Sequence, residues 1–171
     1  TAWLSAYRML FTTAGVQPGA TVLVQGAAGG VATALVQLGA AAGLRMWVTS
    51  RDPERGEAAV ALGADRAFES GARLPERVDA VMETVGAATW SHSINSLRPG
   101  GTVVISGAAS GDAPAKAELT KIFFKQLRVV GSTMGTRDEL ERLAQFVVGA
   151  GIQPLVDSVT PLAQAREGLL P

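Results

Sequence analysis

Apolar residues fall into two alternating rhythms along the chain. Short runs are apolar or β-branched throughout, and longer stretches carry an apolar residue every three or four positions. The first kind predicts buried strands, the second amphipathic helices. Residues 2–13 predict a helix ended by Ala14-Gly15, and Pro18-Gly19 turns the chain into a strand at Thr21–Val24. Val31, Ala34, Leu35 and Leu38 then stand at i, i+3, i+4 and i+7, one face of a helix running to about Ala42 and stopped at Gly43. A second strand follows at Arg45–Ser50. Asp52 is a ready N-cap with Pro53 at the first helical position, and that helix is expected to turn Ala58, Ala61 and Leu62 inward before Gly63.

The alternation continues to the end of the chain. A short strand is predicted near Arg66–Glu69. Ser70 to Arg77 is too short and too poor in apolar residues for a helix, and reads as a loop. Next come a strand at Ala80–Glu83, closed by Thr84-Val85-Gly86, and a helix from about Ala88 to Leu97. The turn Arg98-Pro99-Gly100-Gly101 leads to a strand at Thr102–Ser106. Gly107–Pro114 is the most loop-like stretch. A helix near Leu119–Gln126 precedes a strand at Leu127–Gly131. Thr136-Arg137-Asp138-Glu139 has the capping-box pattern and starts a helix with Leu140, Leu143, Phe146 and Val147 on one face. A last strand at about Leu155–Val159 and a helix capped by Thr160-Pro161 are expected to finish the chain. There is no internal repeat. Strands and helices alternating along most of the chain predict one α/β domain over residues 1–171, a doubly wound parallel sheet in three αβα layers.

The join between the first strand and its helix carries the candidate chemistry. It reads Gly26-Ala27-Ala28-Gly29-Gly30-Val31, with glycine spacing Gly26-x-x-Gly29-x-x-Ala32. A strand, a glycine turn and a helix N-terminus present free main-chain N–H groups at the positive end of the helix dipole. Glycines let a pyrophosphate approach them closely. A tight βα turn alone would ask for similar residues, but the second strand follows at the distance of a βαβ unit, the arrangement of a Rossmann dinucleotide site. Gly26, Ala28, Gly29, Gly30 and Val31 are the candidate contacts.

The end of the second strand bears on which dinucleotide fits. A ribose with a free 2′-hydroxyl is normally held there by Asp or Glu. This chain has Ser50-Arg51, with Arg55 one turn into the helix. A hydroxyl and two guanidinium groups suit a 2′-phosphate, so NADP is expected over NAD. The bland alternative is that both arginines are solvated and pair with Asp52 or Glu54. Other users of such an opening fit less well. No Lys-Ser or Lys-Thr follows the glycines, as a P-loop requires. A Tyr-x-x-x-Lys pair is missing downstream, since Tyr7, the one tyrosine, lies upstream. Asp52, the nearest acid for a methyltransferase ribose site, reads better as a helix cap.

Composition narrows the partners. Fifteen basic and fifteen acidic residues cancel, so nothing electrostatic argues for nucleic acid or an anionic membrane. Without cysteine, and with one histidine, disulfides are excluded and a zinc cluster is not expected. No run is long enough to span a bilayer, and a cytoplasmic location is the default expectation. Neither end reads as a natural terminus, which fits an excised domain.

An ordered series of segments resembles the coenzyme-binding domain of the medium-chain dehydrogenase/reductase superfamily, nearest its quinone oxidoreductase-like branch. The series comprises Leu4–Leu10, Val16–Val31, Thr49-Ser50-Arg51, Leu62–Asp65, Val78–Gly86, Leu97–Ile105 and Gly131–Gly135. Two departures stand out: Ala32 replaces the last glycine of the loop, and Glu83 stands where Asp is more usual. The resemblance implies a two-domain enzyme whose GroES-like catalytic domain is absent from this chain. It implies hydride transfer from NADPH to a quinone, enone or similar carbonyl compound. The zinc-dependent members take a cysteine ligand near the position of Thr1, which favours a zinc-free reductase. Gly107 and Ala108, past the end of a central strand, are candidates for the nicotinamide end. The resemblance adds Ser132 and Thr133 there. It also implies a homodimer paired through the edge strand 126–131. A zinc alcohol dehydrogenase fragment and a stand-alone nucleotide-binding module are the alternatives.

The remaining candidates receive modest roles. Ser110 and Gly111 could be plain surface loop, and Glu83 a turn cap. Phe123-Phe124 is expected in a helix core, His92 on a solvated helix face, and Tyr7 in packing with a polar tip.

Overall fold

The computed structural model describes residues 1–156 and 158–168, with side chains through Arg166. Six strands form one sheet: β1 (Thr21–Val24), β2 (Arg45–Ser50), β3 (Arg66–Glu69), β4 (Val78–Glu83), β5 (Leu97–Ile105) and β6 (Arg128–Gly131). All neighbours are parallel, in the order β3-β2-β1-β4-β5-β6. The order reverses beside β1, so a crevice opens where the chain leaves β1 and β4 in opposite directions.

The two-residue period of a strand explains why there are two cores. Val22 and Val24 of β1 join Met46, Val48, Ala80, Met82 and Val104 on one face of the sheet. Leu23 joins Trp47, Val81 and Val103 on the other. Both faces are covered, as a parallel sheet requires.

On the first face lie α1 (Ala2–Tyr7), which widens into a π-helical stretch over Arg8–Ala14, and α2 (Gly30–Ala41). Gly15, at φ 65°, ends the former. In α2, Ala34, Leu35 and Leu38 are fully buried. The Met46 thioether occupies the place a Cβ on Gly39 would take, so a larger residue there would have to displace that side chain.

Helix α3 (Pro53–Ala61) starts as expected, with Asp52 Oδ1 accepting the Glu54 N–H at 3.0 Å. Its buried face, however, is Gly56 and Ala59 with Leu62 partly covered, while Ala58 and Ala61 are exposed. The contact is centred on a glycine: a Cβ on Gly56 would lie 3.2 Å from that of Ala67. A face led by glycine does not register as apolar in the pattern.

Helices α4 (Trp90–Ser96), α5 (Leu119–Phe124) and α6 (Arg137–Gly149) follow, then a 3₁₀ turn at Leu162–Gln164 and α7 (Ala165–Gly168). Strand β5 begins earlier than expected because Leu97 already pairs with Val78, and the Arg98–Gly101 turn becomes a register shift within it. The expected helix core at Phe123-Phe124 is overturned: the two rings are 65% and 76% exposed. This six-residue helix packs inward through Ile122 instead. On α6 the capping box forms as predicted, but Leu140 is exposed and Glu139 takes the buried position with Leu143. The polar partners of Glu139 on the first helix set that rotation. No strand forms at the described residues of 155–159; Asp157, inside that expected strand, lies outside the described residues.

Candidate functional site

The loops leaving β1, β2, β4 and β5 enclose a cleft of about 840 Å³. It brings together Gly26, Ala28 and Gly29 with Ser50, Arg51 and Arg55, three segments of the chain selected from sequence. Helix α2 aims its N-terminus at this cleft. Its N-cap, Gly29, supplies no side-chain bond, and its first turn carries no acid. The first turn's amides, including those of Gly30 and Val31, therefore lack intrahelical partners and stand at the positive end of the dipole. A Cβ on Gly29 would meet nothing within 4 Å, so the space before the helix is open. Gly26 is at φ 81°, where a side chain would also crowd Val85. A pyrophosphate suits this donor set.

At the far end of the cleft the polar groups are already partly committed. Ser50 Oγ donates to the Asp52 carbonyl at 2.7 Å and accepts the Asp52 N–H at 3.1 Å. Arg55 Nε lies 3.3 Å from Asp52 Oδ2. Arg51 is exposed and makes no ion pair among the described residues.

The far wall comes from the loops after β4 and β5, which are stitched together. Ser110 Oγ donates to the Val85 carbonyl at 2.7 Å and accepts the Ala88 N–H at 3.0 Å. A Cβ on Gly86, at φ 95°, would sit 2.5 Å from the Gly111 carbonyl oxygen, and one on Gly107 2.9 Å from that of Thr84. Only glycine permits this approach.

Below the cleft lies a polar network in which sequence reading placed only Glu83. Glu83 is fully buried. Its Oε1 accepts the N–H groups of Val85 and Gly86 at 2.8 and 2.9 Å, and Ser93 Oγ donates to Oε2 at 2.5 Å. Thr89 Oγ1 bridges both oxygens at 2.9 and 2.8 Å. Gln25, also fully buried, donates to Ser93 Oγ at 3.0 Å and accepts from Thr49 Oγ1 at 2.7 Å. The expectation of a solvated His92 is wrong. The ring is half-buried, its Nδ1 lies 2.8 Å from Gln25 Nε2, and its Nε2 lies 2.9 Å from the Ala72 carbonyl. One signal was available: Gln25 and Thr49 are polar residues that directly follow the apolar runs Val22-Leu23-Val24 and Met46-Trp47-Val48.

Gly107 and Ser132 do not join the main cleft. They line a separate hollow of about 430 Å³ with Arg8, Ile105 and Thr133, past the ends of β5 and β6. Ala108 is exposed beside it. Behind this hollow Arg8 Nη1 pairs with Glu139 Oε2 at 2.7 Å, and Thr12 Oγ1 donates to Oε1 at 2.6 Å. Burial raises the pKa of Glu139. The bonds from Thr12, the Thr136 N–H and Arg8, with the charge of Arg8, more than offset this and bring it to about 2. Tyr7 packs edge-on against Phe11, with ring centres 5.0 Å apart. Among the described residues, no three His, Cys, Asp or Glu side chains stand together as a metal site needs.

Comparison with known proteins gives a consistent picture. The profile of the zinc-binding dehydrogenase family matches residues 30–149. A zinc-type alcohol dehydrogenase-like protein of Leptosphaeria maculans is 31% identical over 90% of this chain and 46% of its own length. Quinone oxidoreductase of Mus musculus is 27% identical over 98% of this chain and 56% of its own. Among solved structures, a 2-octenoyl-CoA carboxylase reductase in complex with NADP and 2-octenoyl-CoA superimposes with a TM-score of 0.85. It is 27% identical, and the match covers 97% of this chain and 44% of that one. The chain thus spans about half the length of the curated relatives it matches.

Proposed function

Because the chain belongs to the zinc-binding dehydrogenase family, as a coenzyme-binding domain of medium-chain dehydrogenase/reductase type, we propose that its cleft binds NADPH for reduction of a quinone, enone or related carbonyl compound. The observation that carries this reading is the uncapped N-terminus of α2 behind an open glycine loop, with the Arg51 guanidinium, which makes no ion pair among the described residues, at the other end of the same cleft. Gly26, Ala28 and Gly29, with the amides of Gly30 and Val31, hold the pyrophosphate. Arg51 takes the 2′-phosphate, assisted by Ser50 and Arg55. The nicotinamide end leaves the main cleft toward the neighbouring hollow lined by Gly107 and Ser132, with Ala108 beside it. The coenzyme supplies the hydride when bound; the protein orients it and keeps water away.

Substrate selectivity and the second wall of the crevice belong to residues outside this chain. The isolated chain is expected not to turn over. Supporting the substrate class are the quinone reductase and the enoyl-CoA enzyme among its relatives. The zinc-type relative favours a second reading, an alcohol dehydrogenase. Among the described residues no three His, Cys, Asp or Glu side chains stand together as a zinc site needs, so that reading places any metal ligands outside them. The protein is proposed to act in the cytoplasm as a homodimer joined through β6. Calorimetric titration with 2′,5′-ADP and 5′-ADP tests the coenzyme reading: the first should bind more tightly, and equal or reversed affinities would contradict it.

A further inference from the structure

The network beneath the cleft has a direction that follows from counting donors. An ionised carboxylate only accepts. Glu83 faces two N–H groups and two hydroxyls, so Ser93 Oγ, at 2.5 Å, gives its proton to Oε2. Having donated, Ser93 accepts from Gln25, which orients that amide with Nε2 toward Ser93. Gln25 Oε1 then faces Thr49 and accepts its hydroxyl, while Thr49 Oγ1 accepts the Gly26 N–H at 3.2 Å. The second proton on Gln25 Nε2 points at His92 Nδ1, at 2.8 Å. That nitrogen must be an acceptor, so the imidazole carries its proton on Nε2 and donates it to the Ala72 carbonyl. The roles along this relay agree with one another from both ends: the Glu83 carboxylate can only accept, and so can the Ala72 carbonyl that faces His92 Nε2.

We propose that Glu83 is a positioning residue: its carboxylate fixes the direction of the Ser93–Gln25 relay, and through it the tautomer of His92 in the cleft wall and the seat of Gly26 in the glycine loop. The relay spans the cleft floor from the β4 loop to the end of β2, so one buried charge holds both coenzyme-facing loops in a single arrangement. The coenzyme half of this inference rests on the proposed function; the tautomer half stands without it. Reversing the relay would turn Gln25 Oε1 toward His92. The imidazole would then need its proton on Nδ1, leaving Nε2 opposed to a carbonyl oxygen. Such buried networks are costly when partly satisfied.

Since the sequence has one histidine, long-range ¹H–¹⁵N correlation spectra report this imidazole without ambiguity. At about pH 8.5, where an ordinary imidazole is neutral, the unsubstituted protein should show the Nε2–H form alone. Glu83→Gln keeps the shape but adds a donor, and should bring in the Nδ1–H form. Ser93→Ala cuts the relay while leaving the Glu83 carboxylate and its bonds from Val85, Gly86 and Thr89 in place, and should act in the same direction, which keeps the test open if the first variant does not fold. Both should weaken NADPH binding by about tenfold, the net effect of one lost hydrogen bond to a charged network. A wild-type Nδ1–H form, or a pure Nε2–H form with unchanged NADPH affinity in both variants, would overturn the inference. Failure of the wild type to bind NADPH would overturn the coenzyme reading instead, leaving the tautomer to decide the relay.

Discussion

Arg55 Nε lies 3.3 Å from Asp52 Oδ2, so of the two guanidinium groups at the end of β2 only that of Arg51 is without an ion pair among the described residues. The pair read from sequence as joint phosphate ligands is therefore unequal. Arg51→Ala should remove about 1.5–3 kcal/mol of NADPH affinity, the worth of a charge-assisted contact. Arg55→Ala should cost less, because its charge is already shared with Asp52. Calorimetry on the two variants checks the order; a larger loss at Arg55 would reverse the assignment.

A second expectation concerns acid. Glu139 joins α6 to the first helix, and its pKa falls from 4.5 to about 2 on folding. A lowered carboxylate pKa means that the unfolded chain binds the proton first. The contribution is complete above the unfolded value and disappears as pH drops from about 4.5 toward 2. Glu139→Gln should lower stability at neutral pH by roughly 2 kcal/mol and flatten the acid limb across that window. Thermal unfolding of both proteins against pH measures it, and parallel acid limbs would contradict it.

What was legible in the sequence was local. The strand at Thr21–Val24, the glycine turn and the helix after it lie within one short stretch, so periodicity and turn chemistry sufficed. The polar floor was not legible, because Gln25 meets Thr49, His92 and Ser93 only after the sheet brings distant segments together. His92 looked solvated because its neighbours Ser91 and Ser93 are polar, whereas Ser93 is fully buried and bonded. The α3 face was misread because its closest contact is the glycine at position 56. Hydrophobicity alone places Phe123 and Phe124 in the interior, yet none of the six residues of this helix is fully buried.

The two glycines that let the cleft loops touch make a stability prediction. Gly86→Ala places a side chain at φ 95° and within 2.5 Å of the Gly111 carbonyl oxygen. A shift of backbone against backbone is required, and the loss should be roughly 2 kcal/mol or more. Urea unfolding provides the number. A loss below experimental error would mean that the two loops separate easily.

The sheet ends at β6, and its outer edge pairs with nothing among the described residues. The Ser132 N–H bonds inward to the Ile105 carbonyl at 2.8 Å. By the alternation of a parallel ladder, the Val129 N–H points out. Edge pairing across a two-fold axis would use that donor. Val129→Pro should therefore shift a dimer toward monomer in analytical ultracentrifugation while leaving β5–β6 pairing intact. An unsubstituted chain that sediments as a monomer at high micromolar concentration would rule the edge contact out.

The central claim is that the cleft between the α2 N-terminus and Arg51 holds a phosphorylated dinucleotide. Titrating the unsubstituted chain with NADPH and with NADH under identical salt tests it most directly. The account predicts saturable binding of both, with NADPH tighter and its advantage shrinking as salt screens Arg51. NADH binding as tightly as NADPH, or tighter, would contradict it.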